Sequence, residues 1–276
     1  MSRPPPLFNH THDQLAEMLA NCAGKPFTYD GNGTVSLHFD MSTVQSRMRP
    51  DQPDQLVLGY TRTMMGSLLL NPQPQHITQI GLGGGSLAKY CHRYLPDAVI
   101  DVAEINPDII ALRDEFAIPP DSARFRVHCD DGARFIAAQA NRIDLLFVDG
   151  FDADGQAPSL CTQRFYDDCQ QALTADGLLV INLSGMDPHI AHYLDRLGRS
   201  FGNEVVVIRS EDCTNKIAFA AKGPALQRAE AELLARAWQL EQQHPLKLRN
   251  IAHRLAASRR HGYFLTDEPG DDIHAE

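Results

Sequence analysis

A chain of 276 residues with 43% hydrophobic content can bury a full core, and its length fits one domain with appendages. The formal net charge of -10 argues against a nucleic-acid surface, which needs a concentrated basic patch, and is compatible with a cationic substrate. No run reaches the ~18 apolar residues of a membrane span, the opening MSRPPPLFNHTHDQ lacks the apolar segment of a secretory signal, and the six cysteines (Cys22, Cys91, Cys129, Cys161, Cys169, Cys213) form no CxxC pair, so the expectation is a cytoplasmic protein with reduced thiols and no metal site.

In chain order, THDQLAEMLANCAG reads as a short helix: Thr11 caps it, Gln14 completes a capping box, Leu15, Met18, Leu19 and Cys22 share a face, and Gly24 stops it. KPFTYDGNGTVSLHFDMSTVQSRMRP then reads as strands, with Asp30-Gly31-Asn32-Gly33 as a hairpin turn and Pro50 closing the segment. From about Tyr60 apolar strands alternate with helices, the pattern of a parallel sheet covered on both faces. Its strands are HITQIGL, AVIDVAEI, RFRVHC, DLLFVDG, GLLVINL, EVVVIRS and KIAFAAK. Only EDCTN separates the last two, too short for a helical crossover, so the sheet is expected to end in an antiparallel hairpin.

The chain therefore divides into an N-terminal helix and small β-hairpin unit (1–54), an α/β unit (55–222), and a C-terminal helix, PALQRAEAELLARAWQLEQQ, with a loose polar tail, TDEPGDDIHAE (223–276). The expected fold class is α/β, a seven-stranded methyltransferase-like (Rossmann-type) sheet.

Chemistry concentrates at the ends of the strands. Gly81, Gly83 and Gly85 follow the first apolar strand and precede SLAKYCHRY, so the backbone can turn tightly and approach a ligand at a helix N-terminus. The loop lacks the Gly-Lys-Ser/Thr ending of a triphosphate-binding loop, and Ser86 stands where a dinucleotide fingerprint has its third glycine. Glu104 follows about 20 residues later at the end of VIDVAE, where a carboxylate sits over ribose hydroxyls. CDDGARF adds Asp130 and Asp131 beyond the third strand, where an acid can accept from an adenine amino group. DLLFVDGFDADG ends the fourth strand in Asp149, with Asp152 close behind. Two carboxylates there suit a site that holds an ammonium and takes its proton. Asp154, beside Gly155, reads as a turn former.

At these residues the chain resembles the spermidine synthase (polyamine aminopropyltransferase) family, from about Lys25 to Lys222. The resemblance implies a small N-terminal β unit before a methyltransferase-like sheet and transfer of an aminopropyl group from decarboxylated S-adenosylmethionine to an amine such as putrescine. It makes Gln45, in STVQS, a cofactor-side glutamine, and Tyr60 the tyrosine of a Tyr-His/Gln-Glu motif. It likewise makes Glu104 the ribose acid, Asp131-Gly132 the pair at the adenine, and Asp149 and Asp152 the two aspartates of an Asp-x-x-Asp motif, as proton acceptor and amine anchor. SLCTQRFYDDCQQALTADGLLV is similar to the family's Leu-Phe-x-x-x-Phe-Tyr stretch and its next strand.

Three positions depart from that pattern. Gly84 stands where the family's loop has an aspartate for the aminopropyl ammonium, Arg62 replaces the glutamate after the tyrosine, and Asn182, Leu183 and Ser184 replace a Gln-x-Glu. Arg62, if turned inward, would repel a diamine. Aminopropyl transfer is the reading adopted, because Tyr60, Asp149 and Asp152 are what amine alkylation needs. The alternatives are an S-adenosylmethionine-dependent methyltransferase of unknown acceptor and a non-catalytic nucleoside-binding relative. The expected partner is a small-molecule amine, with no nucleic acid or membrane, no metal, and a homodimer as a candidate assembly.

Overall fold

The computed structural model describes residues 25–39, 44–152, 155–202 and 204–261. The helix expected over 11–24 and the polar tail over 266–276 lie outside them.

Strands β1 (Phe27–Gly31), β2 (Thr34–His38) and β3 (Ser46–Met48) form an antiparallel sheet. The turn between β1 and β2 is Asn32-Gly33, with φ of 53° and 73°, the left-handed pair that a tight hairpin matching strand twist requires. Leu37 and Met48 are buried from this small sheet into the main core. Helix α1 (Gly59–Met64) follows and continues as a 3-10 turn over Met65–Leu69. Then come β4 (His76–Ile80), α2 (Ser86–Tyr94), β5 (Val99–Glu104), α3 (Pro107–Ala111), β6 (Phe125–Cys129), α4 (Gly132–Ala137), β7 (Ile143–Val148), the short strands β8 (Phe151–Asp152) and β9 (Gly155–Gln156), α5 (Gln163–Ala172), β10 (Leu173–Leu183), α6 (Ile190–Ser200), β11 (Val205–Arg209) and β12 (Lys216–Ala221).

The main sheet has seven strands in the order β11-β12-β10-β7-β4-β5-β6. β4, β5, β6, β7 and β10 run parallel, and β12 is antiparallel to both neighbours. The expected hairpin is present: Arg209 pairs with Lys216 and Val205 with Ala220. Successive apolar residues in a strand serve opposite faces, which is why these segments read as unbroken apolar runs. Ile77, Val102, Phe147, Val180 and Phe219 enter one core; Ile80, Leu146, Val148, Leu179 and Ile181 enter the other. From β4 the chain steps outward through β5 to β6, then crosses to β7 on the other side. The ends of β4 and β7 therefore flank a topological switch point, the place where such sheets leave a crevice.

The C-terminal part differs from expectation. Pro224 opens a 3-10 turn (Pro224–Gln227), and α7 (Glu230–Leu240) is followed by a second helix, α8 (Leu248–His261), instead of directly by a tail. Leu248, Ile251, Ala252 and Leu255 are buried at helical spacing. Ile251 lies so near Gly66 that a Cβ there would come within 2.5 Å of its Cγ2. The helix forms because this stripe covers the 3-10 turn after α1 and the edge strand β11; the intervening Pro245 interrupts the pattern read along the chain. Among the described residues no helix is long and apolar enough to cross a membrane.

Candidate active site

The glycine loop begins where β4 ends. Gly81, Gly83 and Gly85 have φ of 86°, 51° and 68°, a region that disfavours any residue with a Cβ. At Gly81 space is also absent, since a Cβ would overlap the carbonyl oxygen of Asp149 on the neighbouring strand. The loop is tied to the acid across from it: one carboxylate oxygen of Glu104 accepts from Leu82 N and the other from Asn106 N, both at 2.8 Å. Each oxygen keeps a further lone pair, so Glu104 can still accept hydroxyl protons from the cavity it lines.

That cavity, of about 910 Å³, collects most of the anticipated residues. Gly81, Gly83, Glu104, Asp131 and Gly132 line it together with Tyr60, Gln45 and Asp149. Asp131 is the N-cap of α4, its Oδ1 accepting from Arg134 N at 2.9 Å, while Asp130 is paired with the Arg134 side chain. Gly132 lets Ile80 approach closely. Gly85 does not line the cavity; a Cβ there would meet Ile118 at 2.6 Å, so its role is to start α2. Asp152 belongs to β8, opposite Gly155, and its side chain lies outside what is described.

The Asp149 carboxylate is held from two sides. Asn182 Nδ2 donates to its Oδ1 at 2.8 Å, and Asn215 Nδ2 donates to Asn182 Oδ1 at 2.9 Å, so the replaced Gln-x-Glu position and the β11–β12 turn fix the carboxylate. The Tyr60 hydroxyl has one proton to serve either the Asp149 carboxylate or the Gln45 carbonyl at 3.4 Å. Burial pushes the Asp149 carboxyl above the ordinary carboxylate range, against hydrogen bonds from Asn182 and Tyr60 that pull it back. Burial, and then the charge of Asp149, raise the Tyr60 hydroxyl well above its usual value, so it stays protonated.

Arg62 does not enter the cavity. Its Nε donates to Glu211 at 2.8 Å, its Nη1 to the carbonyls of Leu56 and Val57, and Asp212 lies 3.6 Å from Nη2. The feared repulsion of a diamine is thus cancelled by two acids from the β11–β12 turn. Asp212 also lines the cavity, accepting from Gly59 N at 2.8 Å. Sequence reasoning passed over this acid, although β11 runs with β10, which brings its turn to the same end of the sheet as Asp149.

The place of the missing loop acid is filled. A Cβ at Gly84 would meet Ser46 Oγ at 2.6 Å and the Phe116 ring at 2.7 Å. Phe116 is itself anchored, its carbonyl accepting from the buried Lys89 ammonium at 2.6 Å. Gly84→Asp is therefore expected to cost about 1 to 3 kcal/mol by overpacking and to lower Tm by several degrees, instead of rebuilding an ammonium site. A thermal melt with unchanged Tm would show that Phe116 and Ser46 yield easily.

A mostly parallel seven-stranded sheet with one antiparallel member, a glycine turn after β4 and acids at the ends of β5 and β7 defines the methyltransferase-like α/β class. Within that class the spermine/spermidine synthase domain family matches residues 57–206. The polyamine aminopropyltransferase of Neisseria meningitidis serogroup A is 37% identical over 225 residues, 81% of this chain and 86% of that one. The chain belongs to the spermine/spermidine synthase family, which makes it a transferase. A probable spermidine synthase from Corynebacterium glutamicum shares the fold at a TM-score of 0.60 and 17% identity, covering 76% of this chain and 86% of that one. Human methyltransferase-like protein 13 in complex with SAH superposes at 0.53 with 26% identity, covering 76% of this chain and 93% of the other.

Proposed function

We propose that the chain transfers an aminopropyl group from decarboxylated S-adenosylmethionine to a small amine such as putrescine, with no metal. The observation that carries this reading is Asp149, half-buried in one cavity with the buried Glu104 and fixed by Tyr60 and Asn182. Glu104 accepts the ribose hydroxyls, Asp131 and Gly132 face the adenine, and Gln45 closes the donor from the side of the small sheet. The attacking amine loses its proton to Asp149, because an ammonium has no lone pair to offer. Its nitrogen then bonds to the propyl carbon on the sulfonium as that carbon–sulfur bond breaks, leaving methylthioadenosine and an alkylated amine. Asp152 and the hairpin acid Asp212 hold the far ammonium of the acceptor. On this reading residues 55–222 are the catalytic unit, residues 1–54 supply one wall, and the enzyme works in the cytoplasm, where a homodimer is the assembly to look for.

The test is incubation with a panel of diamines and either donor. Decarboxylated S-adenosylmethionine is expected to yield methylthioadenosine and an aminopropylated amine, while the carboxylated form yields no S-adenosylhomocysteine. Methyl transfer without aminopropyl transfer would replace this reading with the methyltransferase one, and binding of neither donor at millimolar concentration would remove both.

A further inference from the structure

Gln79 is a buried polar residue that no step above uses. It lies on β4, paired with Val102 of β5 and Phe147 of β7, each two residues before the carboxylates Glu104 and Asp149. Register partners in a parallel sheet point to one face, so Gln79 projects beneath Gly81, midway between those two acids and flanked by apolar neighbours. The side chain is 2% exposed and lines the cavity. Its Nε2 donates to Gly81 O at 2.6 Å; turning the amide over would set oxygen against oxygen, so the orientation is determined. The remaining amide oxygen is buried with no partner among the described residues. Buried amide oxygens are almost always paired, and one left without a partner on a residue that lines a cavity is an acceptor that a ligand's donor can satisfy once the amide turns slightly toward it.

We propose that Gln79 Oε1 accepts a hydrogen bond from the terminal ammonium of the donor's aminopropyl arm, taking over the contact that a side chain at Gly84 cannot make. This rests on the aminopropyl-donor reading above. A ligand lying from Glu104 to Asp149 crosses β4 at its sulfur, so its arm is the part that passes over Gln79. The glycine loop offers that arm no carboxylate, because Ser46 and Phe116 occupy the space where one would project. An amide suits the job differently from an acid: it recognises the ammonium without adding a second buried negative charge beside Asp149.

Titration calorimetry separates the two ideas. Gln79→Met keeps length and removes the acceptor. It is expected to weaken decarboxylated S-adenosylmethionine about tenfold to a hundredfold while leaving methylthioadenosine, which has no ammonium, within about twofold of the parent. Intact methylthioadenosine binding in the variant also shows that it is folded. Equal loss for both ligands, or no loss for either, would overturn the role of Gln79. A parent protein that binds neither ligand would instead overturn the donor reading, and the Gln79 contact with it.

Discussion

Asp149→Asn is expected to slow amine alkylation by about 100- to 10,000-fold, the usual worth of a positioned general base, while methylthioadenosine binding changes little. The substitution isolates the proton acceptor, because the asparagine oxygen can still accept from Asn182 and the pocket's volume is preserved. The pH profile carries a second signature. Burial raises the folded-state pKa of Asp149, and only the ionised carboxylate accepts a proton, so the parent enzyme should lose kcat/KM as pH falls through that raised pKa, above the ordinary carboxylate range. The variant should lose this acid limb. Retention of more than a tenth of the parent rate would show that Asp149 is not the base.

The second large effect is expected at Glu104. Removal of its side chain in Glu104→Ala strands the buried Leu82 N in the glycine loop and the part-buried Asn106 N after β5, besides taking away the acceptor proposed for the ribose. A cost of about 1 to 3 kcal/mol in ligand binding, or roughly tenfold to a hundredfold in affinity for adenosine ligands, follows from leaving such groups unpaired. Glu104→Gln should not rescue it, since one oxygen becomes an amide nitrogen that faces a backbone N–H donor. Parent-like affinity of either variant for methylthioadenosine, measured by calorimetry, would remove Glu104 from the ribose site.

Much of this arrangement was written locally. The turn at Asn32-Gly33 depends on two adjacent residues that tolerate positive φ, and the glycine loop on residues within one turn of β4. The final hairpin was legible because a connection as short as Glu211–Asn215 leaves no other way to join two strands. The acids Glu104, Asp131 and Asp149 were legible for a related reason: each ends or immediately follows a parallel strand, and every such end lies on the same side of the sheet. The motif that these residues form with Tyr60 pointed to the family to which the chain belongs.

What the sequence by itself determined, then, was the α/β class, the strand list, the antiparallel ending and the row of carboxylates, because turn stereochemistry, apolar periodicity and connection length are properties of contiguous residues. Tertiary structure alone decided how the departures from the family pattern are accommodated. Arg62 reads as a threat to a cationic substrate until Glu211, 149 positions away, takes its charge. Gly84 reads as a vacancy until Ser46 and Phe116 are found to fill it, and Gln79 reads as one polar residue in an apolar strand until its register places it between Glu104 and Asp149. These outcomes depend on which distant groups the fold brings into contact, where an opposite charge or a filled space changes what a residue can do, and no spacing along the chain encodes that.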